Sequence, residues 1–144
     1  MSDFENGVTL HHVGYVVESI EKSAESFLRS LAVEWDRQII HDPLQTARVA
    51  FFTPRAPGNP VIELVEPAGE QSAVAKFLAR GGGFHHLCYE VNSLDSQLAW
   101  TRANGDLIAR PAAPAVAFGS RRIAWIYTKG RMLIEFLERE GPRA

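Results

Sequence analysis

The sequence predicts an α+β fold in which two βαβββ modules form a curved, cup-like mixed sheet. Two recurring phrases lead to that prediction. LHHVGYVVESI at 10–20 returns as FHHLCYEVNSL at 84–94, and VIELVEP at 61–67 returns as LIEFLER at 133–139. The recurrences keep their order and have nearly equal offsets, which indicates a duplicated module of about 72 residues. A third observation is that each copy reads as one alternating strand, one amphipathic helix and three further strand-like runs.

The first module begins with an alternating strand over Leu10–Val17. Ser19 is the expected N-cap of the helix that follows. The apolar face of this helix has helical spacing and consists of Ile20, Ala24, Phe27, Leu28 and Leu31. Three strand-like runs, which turn residues separate, complete the module near Trp35–His41, Arg48–Thr53 and Pro60–Val65.

The second module repeats this order. Its strand over Phe84–Val91 is followed by a helix that starts after Ser93, carries Leu94 and Leu98 on its apolar face, and ends at Asn104-Gly105. Three strands are predicted near Asp106–Arg110, Arg121–Tyr127 and Arg131–Leu137. A short helix at about 71–80 links the modules, which span about 8–67 and 84–138. Because the linker is short, residues 1–144 are predicted to form a single domain.

Composition excludes several classes of protein. Hydrophobic residues make up 46% of the chain and charged residues 22%, which is typical of a soluble globular protein. The net charge of −2, with no basic patch, argues against nucleic-acid binding. The single cysteine, Cys88, rules out a disulfide within one chain. No apolar run approaches the about 20 residues that span a bilayer, and the polar start MSDFENG lacks signal-peptide features. A cytoplasmic protein is therefore expected.

A carboxylate interrupts the apolar run of the last strand in both modules. Alternation places Glu63 on one strand face with Val61 and Val65, and Glu135 occupies the same position in its own module. An unpaired ionised carboxylate in such surroundings would cost several kcal/mol. We therefore expect an arginine, hydrogen-bond donors or a cation to compensate each one.

Histidines occur at equivalent points of the first strands, so the modules together offer a set of four candidate ligands: His12, Glu63, His86 and Glu135. Imidazole and carboxylate suit a borderline divalent ion such as Zn, Ni, Co, Fe or Mn. Four protein ligands on a six-coordinate ion would leave two positions for neighbouring substrate oxygens. Core histidines, with glutamates paired to Arg48, Arg121, Arg122 or Arg131, are the alternative interpretation. Recurrence of both residue types in both copies favours one metal ion per chain.

The remaining candidates near these strands are assigned by alternation. His11 and His85 are expected to point away from the ligand face, and His41 is expected at the surface. Cys88 shares a strand face with His86, so it either lines the cavity as a substrate contact or is a small buried hydrophobe.

The chain resembles the vicinal oxygen chelate (glyoxalase/bleomycin resistance/dioxygenase) superfamily, and within it is most similar to the methylmalonyl-CoA epimerases. The resemblance covers about 10–138 and is carried by LHHVGYVV, VIELVEPAGEQSAVAKFLARGGGFHHLCYEV and GSRRIAWIYTKGRMLIEFLE. It implies a metal on the four ligands named above, an acyl-thioester or related carbonyl substrate, proton transfer next to that carbonyl, and a homodimer. Val49 stands where some epimerases carry an additional acid.

The predicted function is therefore a divalent-metal-dependent epimerase or isomerase that acts α to a carbonyl, on an acyl-CoA such as methylmalonyl-CoA. Glu135 is the preferred base, with Glu63 or a water on the metal as alternatives, because Val49 cannot take a proton. Arg121 and Arg122 are candidate contacts to CoA phosphates, the alternative being a solvated turn.

Three other functions share this fold. A glyoxalase I-like lactoylglutathione lyase has the same ligand order, but Lys129-Gly130-Arg131 stands where that enzyme's aspartate-glycine loop is expected. A metal-free small-molecule binding or resistance protein would not need an intact ligand set. An extradiol dioxygenase uses two histidines and one carboxylate, so the fourth ligand counts against it.

Overall fold

The computed structural model describes residues 7–140, which form two compact units. The N-terminal unit comprises residues 12–85, and the C-terminal unit comprises residues 86–140 together with 7–11. Within 7–140, the helices are all too short or too polar to cross a bilayer.

The N-terminal unit contains one four-stranded path with a fifth short strand beside it. Its elements are β1 (Thr9–Val16), α1 (Ile20–Ser30), β2 (Val33–Glu34), β3 (Ile40–Asp42), β4 (Ala47–Pro54), β5 (Val61–Pro67) and α2 (Ala73–Ala79). The first three residues of β1 fall in the C-terminal unit. The strand order is β2-β4-β5-β1, with β3 also on β4. β1 and β5 are parallel, whereas β2, β3 and β5 are each antiparallel to β4.

The C-terminal unit repeats this topology. Its elements are β6 (Gly83–Val91, the first three residues of which fall in the N-terminal unit), α3 (Leu94–Ala103), β7 (Leu107–Pro114), a 3₁₀ turn (Val116–Phe118), β8 (Arg122–Tyr127) and β9 (Leu133–Glu138). The strand order is β6-β9-β8-β7, with β6 and β9 parallel and the other pairs antiparallel. The predicted α+β class with two duplicated βαβββ modules and mixed strand pairing is confirmed.

Each unit packs its helix on one face of its own strands. In the N-terminal unit the buried cluster between them consists of Ile20, Ala24, Val33, Ala50, Phe52 and Leu64. In the C-terminal unit it consists of Val91, Leu94, Leu98, Ala124, Ile126 and Phe136. Each large apolar side chain that is fully buried contributes about 1.5–3 kcal/mol. Within each unit the helix thus covers one face of the strands, and alternate residues of the first and last strands of that unit project from the other face.

The predicted helix caps are confirmed. The Ser19 hydroxyl accepts a hydrogen bond from the Lys22 backbone N–H at 3.3 Å, and the Ser93 hydroxyl accepts one from Ser96 N–H at 3.2 Å. α3 ends at Ala103, and Gly105 follows with φ of 83°, as the Asn-Gly pair predicts.

The prediction of one strand over Trp35–His41 is wrong. The carboxylate of Asp36 accepts a hydrogen bond from Gln38 N–H at 2.9 Å, and Arg37 lies in the left-handed region with φ of 68°. This side-chain turn competes with extended backbone, so two short strands replace the predicted one.

Other boundaries differ by smaller amounts. β7 continues to Pro114 through two irregularities of register. β9 begins only at Leu133, because Arg131 has φ of 63° and closes a turn onto the carbonyl of Thr128. Leu31, predicted on the buried face of α1, instead caps that helix and is 45% exposed.

Candidate functional site

The N-terminal unit contains one buried histidine–glutamate pair. His12 of β1 is fully buried and Glu63 of β5 is 5% exposed. Since β1 and β5 are parallel neighbours with Gly14 opposite Glu63, the Nε2 atom of His12 lies 3.5 Å from Oε1 of Glu63. Phe51 lies opposite Glu63 on β4, and its ring is edge-on to the imidazole at 5.8 Å.

The C-terminal unit contains the same arrangement. His86 of β6 is 1% exposed and Glu135 of β9 is 3% exposed. Cys88 stands opposite Glu135, and Nε2 of His86 lies 3.5 Å from Oε1 of Glu135. Trp125 of β8 is the other neighbour of Glu135, and its ring is edge-on to His86 at 4.7 Å.

The duplicated sequence therefore gives a duplicated trio of histidine, glutamate and aromatic ring on three adjacent strands. The aromatic member recurs too, because Phe51 and Trp125 are as far apart in sequence as the two buried histidines. It was not identified from the sequence, although that shared offset points to it. In each unit the ring packs edge-on against one imidazole and so limits its orientation.

The donor atoms of each pair fit two ligands of one divalent ion. Nitrogen and oxygen atoms that each lie about 2.1 Å from a common ion are roughly 3.0–3.4 Å apart, close to the 3.5 Å seen in both units. Imidazole nitrogen and carboxylate oxygen are the donors that such ions take in proteins. A buried carboxylate also needs compensating positive charge or hydrogen bonds. His12 with Glu63, and His86 with Glu135, thus each fit as half of a metal site.

The face of the C-terminal unit that carries His86 is otherwise largely apolar. A buried cluster there is formed by Cys88, Ala115, Ile123 and Leu137, with Phe118 and Trp125 packed against it. Cys88 is fully buried within this cluster, which fits a small hydrophobe. Its contact with a substrate stays a prediction.

The position without an acid is filled by a buried apolar residue. Val49 lies on β4 opposite Val65 and is 6% exposed. Its counterpart in the second copy of the module is Ile123, which is 2% exposed. Neither side chain can accept a proton.

Both candidate phosphate contacts are engaged within the C-terminal unit. Arg122 donates to both carboxylate oxygens of Glu138, at 3.1 and 2.9 Å, and to Asp95 at 3.4 Å. Arg121 donates from Nη2 to Glu90 at 2.7 Å and from Nε to the Glu138 carbonyl at 2.9 Å. Hydrogen bonds to Glu138 and Asp95 raise the pKa of Arg122, and the bond from Arg122 lowers the pKa of Glu138 against its partial burial.

The pair between Arg122 and Glu138 is itself duplicated. Arg48 of β4 forms an ion pair with Glu66 of β5, and these two residues are the counterparts of Arg122 and Glu138 in the first copy. Each glutamate also accepts the first backbone N–H of the helix in its unit, Ile20 at 3.0 Å and Leu94 at 2.9 Å. Recurrence in both units indicates an architectural role, in which the glutamate ties the last strand to the helix N-terminus.

The prediction that His11 points away from the ligand face is wrong. His11 is half-buried and edge-on to Phe118 at 5.6 Å, and Phe118 packs against the apolar cluster that contains Cys88. His85 is half-buried and edge-on to Phe77 at 4.9 Å. His41 is exposed on β3.

Comparisons with known proteins agree with the fold. The sequence profile of the Glyoxalase/Bleomycin resistance protein/Dioxygenase superfamily matches residues 11–125. The ethylmalonyl-CoA/methylmalonyl-CoA epimerase of Cereibacter sphaeroides is 29% identical over 122 residues, which are 83% of this chain and 88% of that protein. The crystal structure of methylmalonyl-CoA epimerase from Mycobacterium tuberculosis is 30% identical, covers 92% of this chain and 88% of its own, and superposes with a TM-score of 0.75. A hypothetical protein from Bacillus halodurans is 27% identical and has a TM-score of 0.81, covering 95% of this chain and 98% of its own.

Proposed function

We propose that this chain, which belongs to the glyoxalase/bleomycin resistance protein/dioxygenase superfamily, is a divalent-metal-dependent epimerase of an acyl-CoA such as methylmalonyl-CoA. The observation that carries the proposal is the buried pair of imidazole and carboxylate at the same register of both units. The activities named for the Cereibacter sphaeroides and Mycobacterium tuberculosis relatives support the substrate class.

In this proposal His12, Glu63, His86 and Glu135 hold one ion. The ion, when bound, polarises the substrate carbonyl and so makes the proton on carbon α more acidic. The two imidazoles act only as ligands. Each is held in one orientation by the glutamate on the adjacent strand and by an aromatic ring. Co, Ni, Zn, Mn and Fe all suit this donor set.

Glu135 is the proposed base. Its carboxylate takes the proton from carbon α, and the electron pair of the broken C–H bond moves toward the carbonyl oxygen. A second acid, for which Glu63 is the candidate, then returns a proton to the opposite face of the same carbon, which inverts the centre. Proton exchange of the two carboxyl groups with solvent restores the starting state, so that no acid or base is consumed. Glu63 is the second candidate for either transfer, because Val49 supplies no carboxylate and Glu63 is the equivalent residue of the other unit.

The apolar cluster around Glu135 has a part in this chemistry. Ile123, Leu137 and Trp125 restrict the water that reaches the carboxylate. Electrostatic stabilisation of developing charge is stronger where water is excluded.

Deuterium wash-in tests the reaction class and the role of Glu135. Protein loaded with Co or Ni is incubated in D₂O with methylmalonyl-CoA, and exchange at carbon α is followed by NMR. We expect metal-dependent exchange that Glu135→Gln abolishes while metal analysis still finds the ion bound. The matched variant Glu63→Gln shows whether the equivalent carboxylate is required to the same extent.

Other outcomes assign the site differently. Exchange that survives Glu135→Gln but not Glu63→Gln moves the base to Glu63. Turnover of a glutathione hemithioacetal without exchange on any acyl-CoA contradicts the proposal and favours a lactoylglutathione lyase. Ligand binding with no metal under any loading condition favours a sequestering protein.

A further inference from the structure

The two units can be compared position by position, because the buried histidines, the glutamates and the aromatic rings recur in both. At one pair of positions the two copies differ in charge. When the two copies are aligned on their buried histidines, Val16 and Ala47 of the N-terminal unit correspond to Glu90 and Arg121 of the C-terminal unit. Val16 is 2% exposed and Ala47 is 3% exposed, whereas Glu90 and Arg121 form an ion pair. The C-terminal unit thus carries two opposite charges at the positions where the N-terminal unit carries two apolar side chains.

The geometry of this ion pair leaves the guanidinium fixed but accessible. Nη2 of Arg121 lies 2.7 Å from the Glu90 carboxylate, and Nε lies 2.9 Å from the Glu138 carbonyl oxygen. Within residues 7–140 the Nη1 group of Arg121 makes no hydrogen bond. The two side chains are 21% and 25% exposed, so a solute can reach them.

Stability does not account for the pair. The N-terminal unit shows that the same position accepts a valine and an alanine. Removing water from two charged groups costs free energy. The attraction within a partly exposed ion pair only roughly offsets that cost. A guanidinium that is held at two nitrogens and open at the third is, by contrast, a preorganised receptor for an anionic oxygen group.

The pair also lies on the sheet face of the candidate ligands. Alternation along β6 places His86, Cys88 and Glu90 on one face. Glu90 lies four positions after His86 along the strand, which is about 13 Å at about 3.3 Å per residue. An anionic group bound there is therefore remote from a carbonyl bound beside His86.

From this asymmetry we infer that Arg121 binds an anionic oxygen group of the substrate at a distance from the reacting carbon, and that Glu90 is the positioning residue that holds its guanidinium. The inference rests on the proposed function for the identity of the substrate as an acyl-CoA. A phosphate of CoA and a carboxylate on the acyl chain share the chemistry that Arg121 recognises. The distance from His86 favours the phosphate.

Binding measurements on matched variants test this role. Arg121→Ala removes the receptor, and Glu90→Val with Arg121→Ala installs the residues of the other unit. Arg48→Ala is the control, because it removes an arginine–glutamate pair that has an architectural role. Calorimetry gives the Kd of each protein for methylmalonyl-CoA and for the corresponding pantetheine thioester, which lacks the nucleotide phosphates.

We expect Kd for methylmalonyl-CoA to rise about tenfold or more in Arg121→Ala and in the double variant, since a charge-assisted hydrogen bond is lost. Kd in Arg48→Ala should stay within about twofold of the wild type. In turnover assays KM should rise with Kd while kcat changes much less, because the contact is remote from the reacting atoms. The double variant should melt no lower than the wild type.

The two thioesters distinguish the possible sources of the anionic group. The remaining outcomes distinguish a failure of this inference from a failure of the proposed function. A loss confined to the CoA thioester identifies a phosphate, and an equal loss with the pantetheine thioester identifies an acyl carboxylate. Unchanged Kd together with a lower melting temperature in Arg121→Ala makes the pair structural and overturns the inference. Wild-type protein that binds methylmalonyl-CoA through Arg121 without turnover contradicts only the proposed function, and wild-type protein that binds neither thioester overturns both.

Discussion

Glu138 holds Arg122 through both of its carboxylate oxygens, at 3.1 and 2.9 Å, while the same carboxylate accepts the first backbone N–H of α3. One side chain thereby joins β8, β9 and the helix of the C-terminal unit. It lies three residues after Glu135 on the same strand. The candidate catalytic carboxylate is thus carried by a strand that is anchored immediately beyond it.

Glu138→Gln should lower the free energy of unfolding by about 1–2 kcal/mol, since it removes an ion pair and the charge at a helix N-terminus. The pKa of Glu138 is lowered in the fold by its hydrogen bond from Arg122. The stability it contributes is therefore present above the ordinary glutamate pKa of about 4.3 and is lost as pH falls through the lower folded value. Urea unfolding at several pH values from 7 to 3 measures both effects. A variant that loses the same stability at pH 7 and at pH 3 would contradict this assignment.

Removal of one candidate ligand should lower metal occupancy. His86→Ala deletes an imidazole that is 1% exposed and within 3.5 Å of Glu135. We expect metal affinity to fall by more than about 100-fold, because the loss of an outer-sphere partner alone usually costs about 10–100-fold. Metal analysis after dialysis against a weak chelator provides the measurement, with His41→Ala at an exposed histidine as the control. Equal metal content in both variants would rule out His86 as a ligand.

Gly82, which follows α2, should tolerate no side chain. Its φ is 68°, and a Cβ added there would lie 2.8 Å from the carbonyl oxygen of Val16. Gly82→Ala should lower stability by about 2–4 kcal/mol, because strain at positive φ adds to a clash with backbone. Gly58 also has positive φ, of 83°, but open space around it. Thermal unfolding of Gly58→Ala therefore gives the φ contribution alone, and similar losses in both variants would refute the steric part.

A homodimer is the expected assembly in solution. β7 forms the end of the strand order in the C-terminal unit, where Leu107 is 67% exposed and the opposing Tyr127 is 43% exposed. Apolar side chains on an edge strand favour association with a second chain. Light scattering should give a mass about twice that of the 16.0 kDa chain, and Leu107→Lys should shift it toward the monomer. A wild-type mass equal to one chain at micromolar concentration would disprove the dimer.

The duplication could be predicted from the sequence because the recurring segments are the same segments that form the parallel strand pair of each unit. Gly14 lies opposite Glu63, and Cys88 lies opposite Glu135. Both strands of each parallel pair are thus contained in the recurring motifs. A polar residue within an apolar, alternating strand was sufficient to identify the candidate ligands, and all four are buried.

The parts that sequence reasoning missed depend on contacts between distant residues or on turns. Asp36 and Arg37 break a run whose composition is strand-like, because a side-chain hydrogen bond stabilises a turn there. The contact of Glu90 with Arg121 joins residues that are far apart in sequence. Alternation places Glu90 on a strand face but cannot say which basic side chain reaches it.

The parallel pairing of the first and last strands of each unit sets the order in which the protein can form during synthesis. Gly14 cannot find its partner before Glu63 has been translated, and Cys88 waits in the same way for Glu135. Such long-range pairing slows the start of folding in each unit. Folding of the unit is complete only after its last strand has been made. The unit that contains His12 can nevertheless close on the ribosome while the second copy is still being translated. Ribosome-bound chains stalled far enough beyond Pro67 for β5 to have left the exit tunnel should therefore already protect β1 from proteolysis, and chains stalled before Val61 should leave it open to cleavage.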